Sequence, residues 1–182
     1  MSKTKILKSE LLYEGKWLTL KRDYICKPDG SKATHEILLR NNGVIIIVRY
    51  KENFLLTRMY RYPVDANSWE FPMGFIDVQN SEEPKDAAKR EVEEETGFRT
   101  SLLEPLGEIW AWSGLMNQKI YVFEAKVAGK GIQKLDDTEQ DLIYEYCTKK
   151  ELEIKIKNNE IKNSATLAAY QLWNSKHEED TN

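Results

Sequence analysis

Alternating apolar and polar residues predict strands in the N-terminal part of the chain. The alternation extends over residues 11–40 and is clearest in "WLTLKRDYI", residues 17–25. Pro28-Asp29-Gly30 interrupts it with the residue types of a turn, and "THEILLR", residues 34–40, then continues the pattern. The pattern predicts an antiparallel β-hairpin ahead of the main core.

An apolar run marks the centre of the expected sheet. "GVIIIVRY", Gly43–Tyr50, has no charged residue before Arg49, which is typical of a strand buried on both faces. "NFLLTRMYRY" follows after a short polar turn, so the two segments are predicted to be the central strands. Later strands are predicted in "LGEIWAWSG", "KIYVFEAKV" and "DLIYEYCT", and terminal helices in "KKELEIKIKNNE" and "NSATLAAYQLW".

A helix with an acidic face is predicted between these strands. Pro84 suits the first helical position, and strong helix formers follow it until Gly97. At about 100° per residue, Glu91, Glu94 and Glu95 lie within roughly a 100° arc of this helix. Like charges at this spacing repel each other, so we expect a cation near them.

Composition narrows the class of partner. The formal net charge is −3, which gives no general basic surface for binding nucleic acid. Cys26 and Cys147 are too few for a disulfide framework or a cysteine zinc site, which favours a reducing compartment. The N-terminus lacks an apolar core of signal-peptide length, and the longest apolar run, Val44–Val48, is far shorter than a membrane span. We therefore expect a cytoplasmic protein with no membrane or nucleic-acid partner.

Two interpretations of the acidic helix face are open on the residues alone. The first is a solvated charged surface balanced by neighbouring lysines and arginines. The second is a site for a hard divalent cation, because carboxylates and backbone carbonyls are the ligands that Mg²⁺, Mn²⁺ and Ca²⁺ prefer. The second interpretation predicts a phosphate-bearing substrate, since Mg²⁺ completes its coordination shell with water and phosphate oxygens.

The surrounding residues form a longer motif. Its members are Gly74, Glu82, Arg90-Glu91, Glu94-Glu95 and Gly97-Phe98. From Glu82 onward the spacing resembles the Nudix box, the signature of hydrolases that act on nucleoside diphosphates linked to another group. The sequence departs from that pattern before Glu82, where seven residues rather than five follow Gly74. We expect the two extra residues to enlarge that turn.

The resemblance covers nearly the whole chain. "LLTRMYRYPVDANSWEFPMG", "WSGLMNQKIYVFEA" and "NNEIKNSATLAAYQLW" are similar to segments of the ADP-ribose pyrophosphatase branch. The resemblance implies an α/β (α+β) fold in which a mixed sheet lies between helices. It also implies three parts: residues 1–42, a β-strand region that forms a homodimer; residues 43–176, the Nudix domain; and residues 177–182, a tail. Met59 and Gln118 depart from residues common in that branch.

The resemblance assigns a metal site to the motif. The cation it implies is Mg²⁺, with Mn²⁺ as a substitute. The groups expected to hold it are Glu91, Glu95, Glu94, a backbone carbonyl at Met73 or Gly74, and Glu82 through metal-bound water. Glu94 is also expected to act in catalysis as a bridging residue, and Arg90 to orient the glutamates through salt bridges.

The same resemblance predicts a general base outside the motif. In this branch the base often comes from an acidic loop, and "LDDTEQDLIYEY" is the matching segment. Glu139 is the first choice, followed by Asp137 and Asp141. A solvated acidic loop is the alternative.

Four residues are predicted to contact the substrate. Arg61 and Arg58 are near the expected pyrophosphate position, and a planar guanidinium suits phosphate or sugar oxygens. Glu70 is a candidate for a sugar or base contact. Trp17 is one of several aromatic residues on which a nucleobase could stack.

The expected activity is metal-dependent hydrolysis of a nucleoside diphosphate sugar to a nucleoside monophosphate and a sugar phosphate. ADP-ribose is the first choice of substrate, with GDP-mannose and other such sugars open. Two alternatives are a housecleaning nucleotide or RNA-cap pyrophosphohydrolase and a catalytically inactive nucleotide sensor.

Overall fold

The computed structural model describes residues 3–137 and 139–178, and these residues fall into two compact units. The first unit runs to Asn41 and includes Trp110–Lys119. The second consists of Asn42–Ile109 and the chain from Ile120 onward. The second unit is therefore interrupted in sequence by Trp110–Lys119. The predicted Nudix domain, residues 43–176, is continuous and includes that segment.

The first unit contains an antiparallel sheet of three strands in the order β1-β2-β3. The strands are β1 (Lys5–Glu14), β2 (Thr19–Cys26) and β3 (Lys32–Leu39). The tip between β2 and β3 is closed by a hydrogen bond from the Gly30 N–H to the Lys27 carbonyl, and Gly30 has a φ of 86°. A positive φ explains why glycine follows Pro28-Asp29 in this turn.

The predicted hairpin corresponds to β2 and β3, and the structure adds β1. The pairing of β1 with β2 contains two register shifts, between Ile6 and Lys8 and between Leu11 and Tyr13. Each shift moves the following side chains to the other face, so β1 has no continuous alternation of apolar and polar residues. The predicted alternation therefore starts at Leu11, within β1, whereas the strand itself begins at Lys5.

Trp110–Lys119 joins the first unit through backbone and side-chain hydrogen bonds to the end of β3. The N–H of Leu38 donates to the Leu115 carbonyl at 2.9 Å, and the N–H of Arg40 donates to the Asn117 Oδ1 at 3.1 Å. Gln118, one of the departures from the family pattern, is buried and donates from Nε2 to the Asn41 carbonyl at 2.8 Å.

The second unit is built on a mixed sheet of seven strands. They are β4 (Gly43–Tyr50), β5 (Asn53–Arg61), β6 (Ala66–Glu70), β7 (Met73–Phe75), β8 (Phe98–Trp110), β9 (Lys119–Lys130) and β10 (Ile143–Cys147). The main order is β10-β5-β4-β9-β8, while β6 pairs with β5 and β7 pairs with β4. β4 runs parallel to β9 and antiparallel to β5 and β7, so the predicted mixed sheet is confirmed.

Three α-helices complete the second unit. α1 (Pro84–Thr96) starts at the predicted proline and is followed by Gly97 in the left-handed conformation, with a φ of 70°. α2 is Lys149–Lys157 and α3 is Ser164–Glu178. The Asn163 Oδ1 accepts a hydrogen bond from the Thr166 N–H at 2.9 Å at the start of α3.

The predicted tail at residues 177–182 needs correction at its first two positions. α3 continues through His177 to Glu178. The His177 ring stacks on Trp173 at 4.3 Å, and its Nε2 lies 3.2 Å from a carboxylate oxygen of Glu124. These contacts extend the helix into a polar stretch that has no apolar periodicity. Residues 179–182 lie outside the described residues.

The core lies on both faces of β4. Ile45 and Ile47 pack with residues of α2 and α3, including Leu152 and Trp173. On the other face, three β4 residues pack with Ala87, Ala88 and Val92 of α1. Residues Val44–Val48 are at most 1% exposed, which confirms the prediction of a central strand between two layers of helix. In the described part of the chain, we find no helix with the length and apolar character needed to cross a membrane.

Candidate active site

The acidic face of α1 is largely buried. Glu91 and Glu95, one helical turn apart, are 9% and 2% exposed, whereas Glu94 is half-exposed. Glu93 points away from them, and its carboxylate lies against Gly131 and 3.3 Å from the Arg99 Nε. The predicted face of three glutamates is therefore present, with two of its carboxylates removed from most of the solvent.

Arg90 connects three carboxylates. Its Nε and Nη2 donate to the two oxygens of Glu82 at 2.8 and 2.9 Å. Its Nη1 donates to Glu91 at 2.8 Å and to Glu94 at 2.9 Å, and Nη2 also donates to the Phe75 carbonyl. These bonds raise the pKa of the guanidinium and lower that of the Glu82 carboxyl. Arg90 thus fixes the motif's acidic side chains from one side.

Burial dominates the electrostatics of the two inner glutamates. Loss of solvent raises the pKa of Glu91 to about 7, despite the opposing charge of Arg90. Burial, followed by the charge of Glu91, raises the pKa of Glu95 well above its ordinary value. The Glu95 Oε1 accepts a weak hydrogen bond from the Met73 N–H at 3.4 Å, and its buried Oε2 has no partner among the described residues.

Gly74 provides the space for Glu91. A Cβ atom at this position would overlap the Glu91 carboxylate, so the β7 backbone approaches the carboxylate more closely than any other residue type allows. The glycine of the motif is explained by this close contact, since its φ lies outside the left-handed region.

The side chains at this position fit a divalent cation. Two buried glutamates, one with an unpartnered oxygen, supply the hard oxygen ligands that Mg²⁺ and Mn²⁺ prefer. Over residues 3–137 and 139–178, no three acidic, histidine or cysteine side chains are arranged so that they could hold a metal ion by themselves. Mg²⁺ needs no such cage, because it is typically held by one or two carboxylates together with water and phosphate oxygens.

Glu139 lies within electrostatic range of these glutamates. Its charge adds to burial in raising the pKa of both Glu91 and Glu95. Burial and the nearby Asp136 raise its own pKa, which is the direction expected for a proton acceptor that works near neutral pH. The other two candidates differ: Asp137 is exposed, and the Asp141 carboxylate accepts a hydrogen bond from the Tyr60 N–H at 2.8 Å.

Two of the predicted substrate-binding residues contact each other. Arg61 donates from Nε and Nη2 to the two oxygens of Glu70 at 3.1 and 2.6 Å, and Glu70 is 3% exposed. The Arg58 guanidinium lies over the Trp69 ring, which also contacts the Lys155 ammonium. The first two pairings depend on the register of the neighbouring strands β5 and β6, and the third joins α2 to β6, so they were not apparent from the sequence.

Trp17 lies in the first unit, between β1 and β2. It is 62% exposed, and the Lys16 ammonium lies 4.4 Å from the centre of its ring. Its contact with a nucleobase stays a prediction, as do the roles assigned to the other site residues.

Two residues without a sequence signal also hold the site. Gln133 donates from Nε2 to the Glu95 carbonyl at 2.6 Å, which attaches the segment after β9 to the end of α1. The Thr166 hydroxyl, at the start of α3, accepts a hydrogen bond from the Phe71 N–H at 3.2 Å. Neither belongs to the motif or to a periodic pattern, so only the folded chain identifies them.

The model of the family described as the NUDIX domain matches residues 39–170. The chain belongs to the Nudix family. A second model, described as the nucleoside diphosphate sugar hydrolase N-terminal domain, matches residues 4–38. The two matches meet near the end of β3.

Two relatives and one solved structure match this Nudix chain over most of its length. The methanol dehydrogenase activator of Bacillus methanolicus is 29% identical over 92% of this chain and 90% of its own length. The ADP-ribose pyrophosphatase of Mycobacterium tuberculosis is 27% identical over 89% of this chain and 79% of its own length. A solved structure described as an ADP compounds hydrolase has a TM-score of 0.87, with 18% identity over 99% of this chain and 97% of that one. The last comparison establishes a shared fold.

Proposed function

We propose that this Nudix protein hydrolyses the pyrophosphate bond of nucleoside diphosphate sugars, with ADP-ribose as the first choice. The products are a nucleoside monophosphate and a sugar phosphate. The observation that carries the proposal is the pair of nearly buried carboxylates, Glu91 and Glu95, on one face of α1, with Gly74 against the Glu91 carboxylate. The N-terminal family match and the relative named ADP-ribose pyrophosphatase support the choice of substrate.

The proposed cofactor is Mg²⁺, with Mn²⁺ as a substitute. Its proposed ligands are Glu91, Glu95 and Glu94, the Met73 carbonyl, and Glu82 through water. A bound divalent cation neutralises charge on phosphate oxygens and lowers the pKa of a coordinated water. Arg90 holds Glu82, Glu91 and Glu94 in place, and it contributes to catalysis through these salt bridges.

The protein's own groups supply the proton transfer and the substrate contacts. Glu139 accepts the proton of the attacking water, and its raised pKa suits this task. Arg61 binds a phosphate or sugar oxygen while Glu70 keeps its guanidinium in place. Arg58 adds a second positive charge, and Trp17 offers a surface for the base.

We also propose that the strand region up to residue 42 forms a homodimer. Ile6, Leu7, Leu11 and Tyr13 on β1 are 55% to 61% exposed, which is unusual for so many neighbouring apolar residues of one strand. The free thiols of Cys26 and Cys147 and the net charge of −3 support a cytoplasmic protein without a nucleic-acid partner.

A substrate panel tests the proposed activity. The protein is incubated with Mg²⁺ or Mn²⁺ and ADP-ribose, GDP-mannose, UDP-glucose, dinucleoside polyphosphates, capped RNA or nucleoside triphosphates, and the products are separated by chromatography. The proposal predicts cleavage of a nucleoside diphosphate sugar, with turnover lost when EDTA is added. Preferred cleavage of capped RNA or nucleoside triphosphates would show that nucleoside diphosphate sugars are not the preferred substrates. Tight metal-independent binding without cleavage would identify a sensor instead.

A further inference from the structure

The segment between β9 and β10 is attached to the site at both of its ends. At the first end, Gln133 binds the Glu95 carbonyl, and the Lys134 N–H donates to the Glu94 carbonyl at 2.9 Å. At the second end, the Asp141 Oδ2 accepts the Tyr60 N–H at 2.8 Å. Glu139 lies between these attachments, so its position depends on both α1 and β5.

The attachment by Asp141 occurs where a strand pairing ends. The register of β10 with β5 ends at Ile143, opposite Arg58. Tyr60 lies two residues further along β5, and its N–H points towards the same edge, beyond the last β10 pair. The Asp141 carboxylate therefore takes the place of the next backbone carbonyl in the sheet, and charge assistance strengthens this bond.

Short backbone hydrogen bonds connect Asp141 to Glu139. The Glu139 N–H donates to the Asp136 carbonyl, and the Leu142 N–H donates to the Glu139 carbonyl, both at 2.9 Å. Leu142 is buried, which fixes the residue that follows Asp141. A displacement of Asp141 from β5 is therefore transmitted to the Glu139 backbone.

We infer that Asp141 is a positioning residue, which holds in place the segment that carries the proposed proton acceptor Glu139 by binding the Tyr60 N–H. The inference rests on the proposed function. It gives Asp141 a role that differs from proton transfer, because one of its carboxylate oxygens is bound to the β5 backbone.

Two substitutions separate this role from the charge of Asp141. Asp141→Asn and Asp141→Ala both remove the negative charge, but only asparagine keeps an oxygen that accepts the Tyr60 N–H. We expect Asp141→Ala to lower kcat for ADP-ribose by about 10- to 100-fold, with KM within a few-fold of the parent, because a small displacement of a reacting group is costly. Asp141→Asn should stay within about 3-fold of the parent.

A double variant tests whether Asp141 acts through Glu139. If it does, Asp141→Ala should lower kcat no further in a Glu139→Gln background than Glu139→Gln does alone. Hydrogen exchange provides a readout without substrate: the Tyr60 amide should exchange faster in Asp141→Ala than in the parent and in Asp141→Asn.

The outcomes distinguish the inference from the proposed function. A parent protein that cleaves no nucleoside diphosphate sugar overturns both. With an active parent, unchanged kcat in Asp141→Ala, equal losses in the alanine and asparagine variants, or additive losses with Glu139→Gln would each overturn the positioning role alone.

Discussion

Glu91 and Glu95 are close to each other, nearly buried and one helical turn apart on α1. Burial is the main cause that raises the pKa of both carboxyls. The charge of Glu91 raises the pKa of Glu95 further, and the charges of Glu94 and Glu139 raise the pKa of Glu91. Without a cation, Glu91 is about half protonated near pH 7, and Glu95 keeps its proton to a higher pH than an exposed glutamate does. A divalent cation would replace the protons, and the repulsion within the acidic face would then become a source of metal affinity.

The contact between Gly74 and Glu91 gives the first prediction. Gly74→Ala should lower kcat/KM for ADP-ribose by at least about 100-fold, because the new methyl group displaces the Glu91 carboxylate from its place on α1. Steady-state kinetics measure the effect. Gly129→Ala is the matched control, since a Cβ at Gly129 meets no atom within 4 Å and neither glycine has a positive φ. Equal kinetics for the two variants would contradict the assignment.

The position of Glu139 gives the second prediction. Glu139→Gln should lower kcat by about 100-fold or more with KM within a few-fold, because glutamine keeps the shape of the side chain but accepts no proton from water. Glu104→Gln removes an exposed carboxylate on β8 and serves as the charge-matched control. A Glu139→Gln protein with kcat within a few-fold of the parent would remove Glu139 from the proton-transfer step.

At the scale of the element, α1 couples the site to the stability of the fold. Glu91 has a pKa of about 7 in the folded chain, against 4.5 for an exposed glutamate. The folded chain therefore binds this proton more tightly than the unfolded chain does. The corresponding stability is complete below about pH 4.5 and is lost as the pH rises to about 7. The loss from Glu91 alone is up to about 3 kcal/mol, and Glu95 adds to it in the same direction.

The third prediction is that the folded protein loses stability as the pH rises towards 7. In EDTA, the free energy of unfolding from urea titrations should decrease between pH 5 and pH 7.5, and saturating Mg²⁺ should restore part of it at the higher pH. Glu91→Gln, which cannot ionise, should show a shallower decrease than the parent, whereas Glu104→Gln should follow the parent. The same pH slope in all three proteins would mean that Glu91 ionises as an ordinary exposed glutamate.

The local features of α1 could be predicted from the sequence. Pro84, the glutamate spacing and Gly97 act within one or two helical turns, and the helix begins and ends as these residues indicate. The enlarged loop before Glu82 leaves the helix intact. The Asp77 carboxylate accepts hydrogen bonds from the N–H groups of Gln79 and Asn80. The Asp77 N–H donates to the Glu82 Oε2 at 2.8 Å, and the Asp77 carbonyl accepts from the Glu82 N–H at 3.0 Å. The two extra residues are accommodated within this turn.

Contacts that depend on strand register or on distant segments could not be predicted in the same way. The pairing of Arg61 with Glu70 depends on the register of β5 and β6, and the bond from Tyr60 to Asp141 depends on where β10 ends. The start of β1 and the last turn of α3 could not be predicted, because pairing with other segments, rather than periodic apolar residues, stabilises them. The sequence could therefore predict which residues share α1, but not which partners they meet.

At the scale of the whole molecule, the fourth prediction concerns the homodimer. Sedimentation at micromolar concentration should give twice the chain mass of 21.3 kDa. Leu11→Glu combined with Ile6→Glu should shift the protein to the monomer, because charges on an apolar interface lose their hydration when it closes. Ile154→Glu, on an exposed part of α2, is the control. A parent that sediments as a monomer would contradict the proposed dimer.

The most direct test of the central claim is a Mg²⁺ titration of ADP-ribose cleavage by the parent and by Glu95→Gln, with AMP and ribose 5-phosphate quantified by chromatography. Glutamine has the shape of glutamate, so near-UV circular dichroism should be unchanged. The account predicts saturable Mg²⁺-dependent release of both products by the parent and a rate at least about 100-fold lower for Glu95→Gln. Equal rates in the two proteins, cleavage that persists in EDTA, or no cleavage by the parent would contradict it.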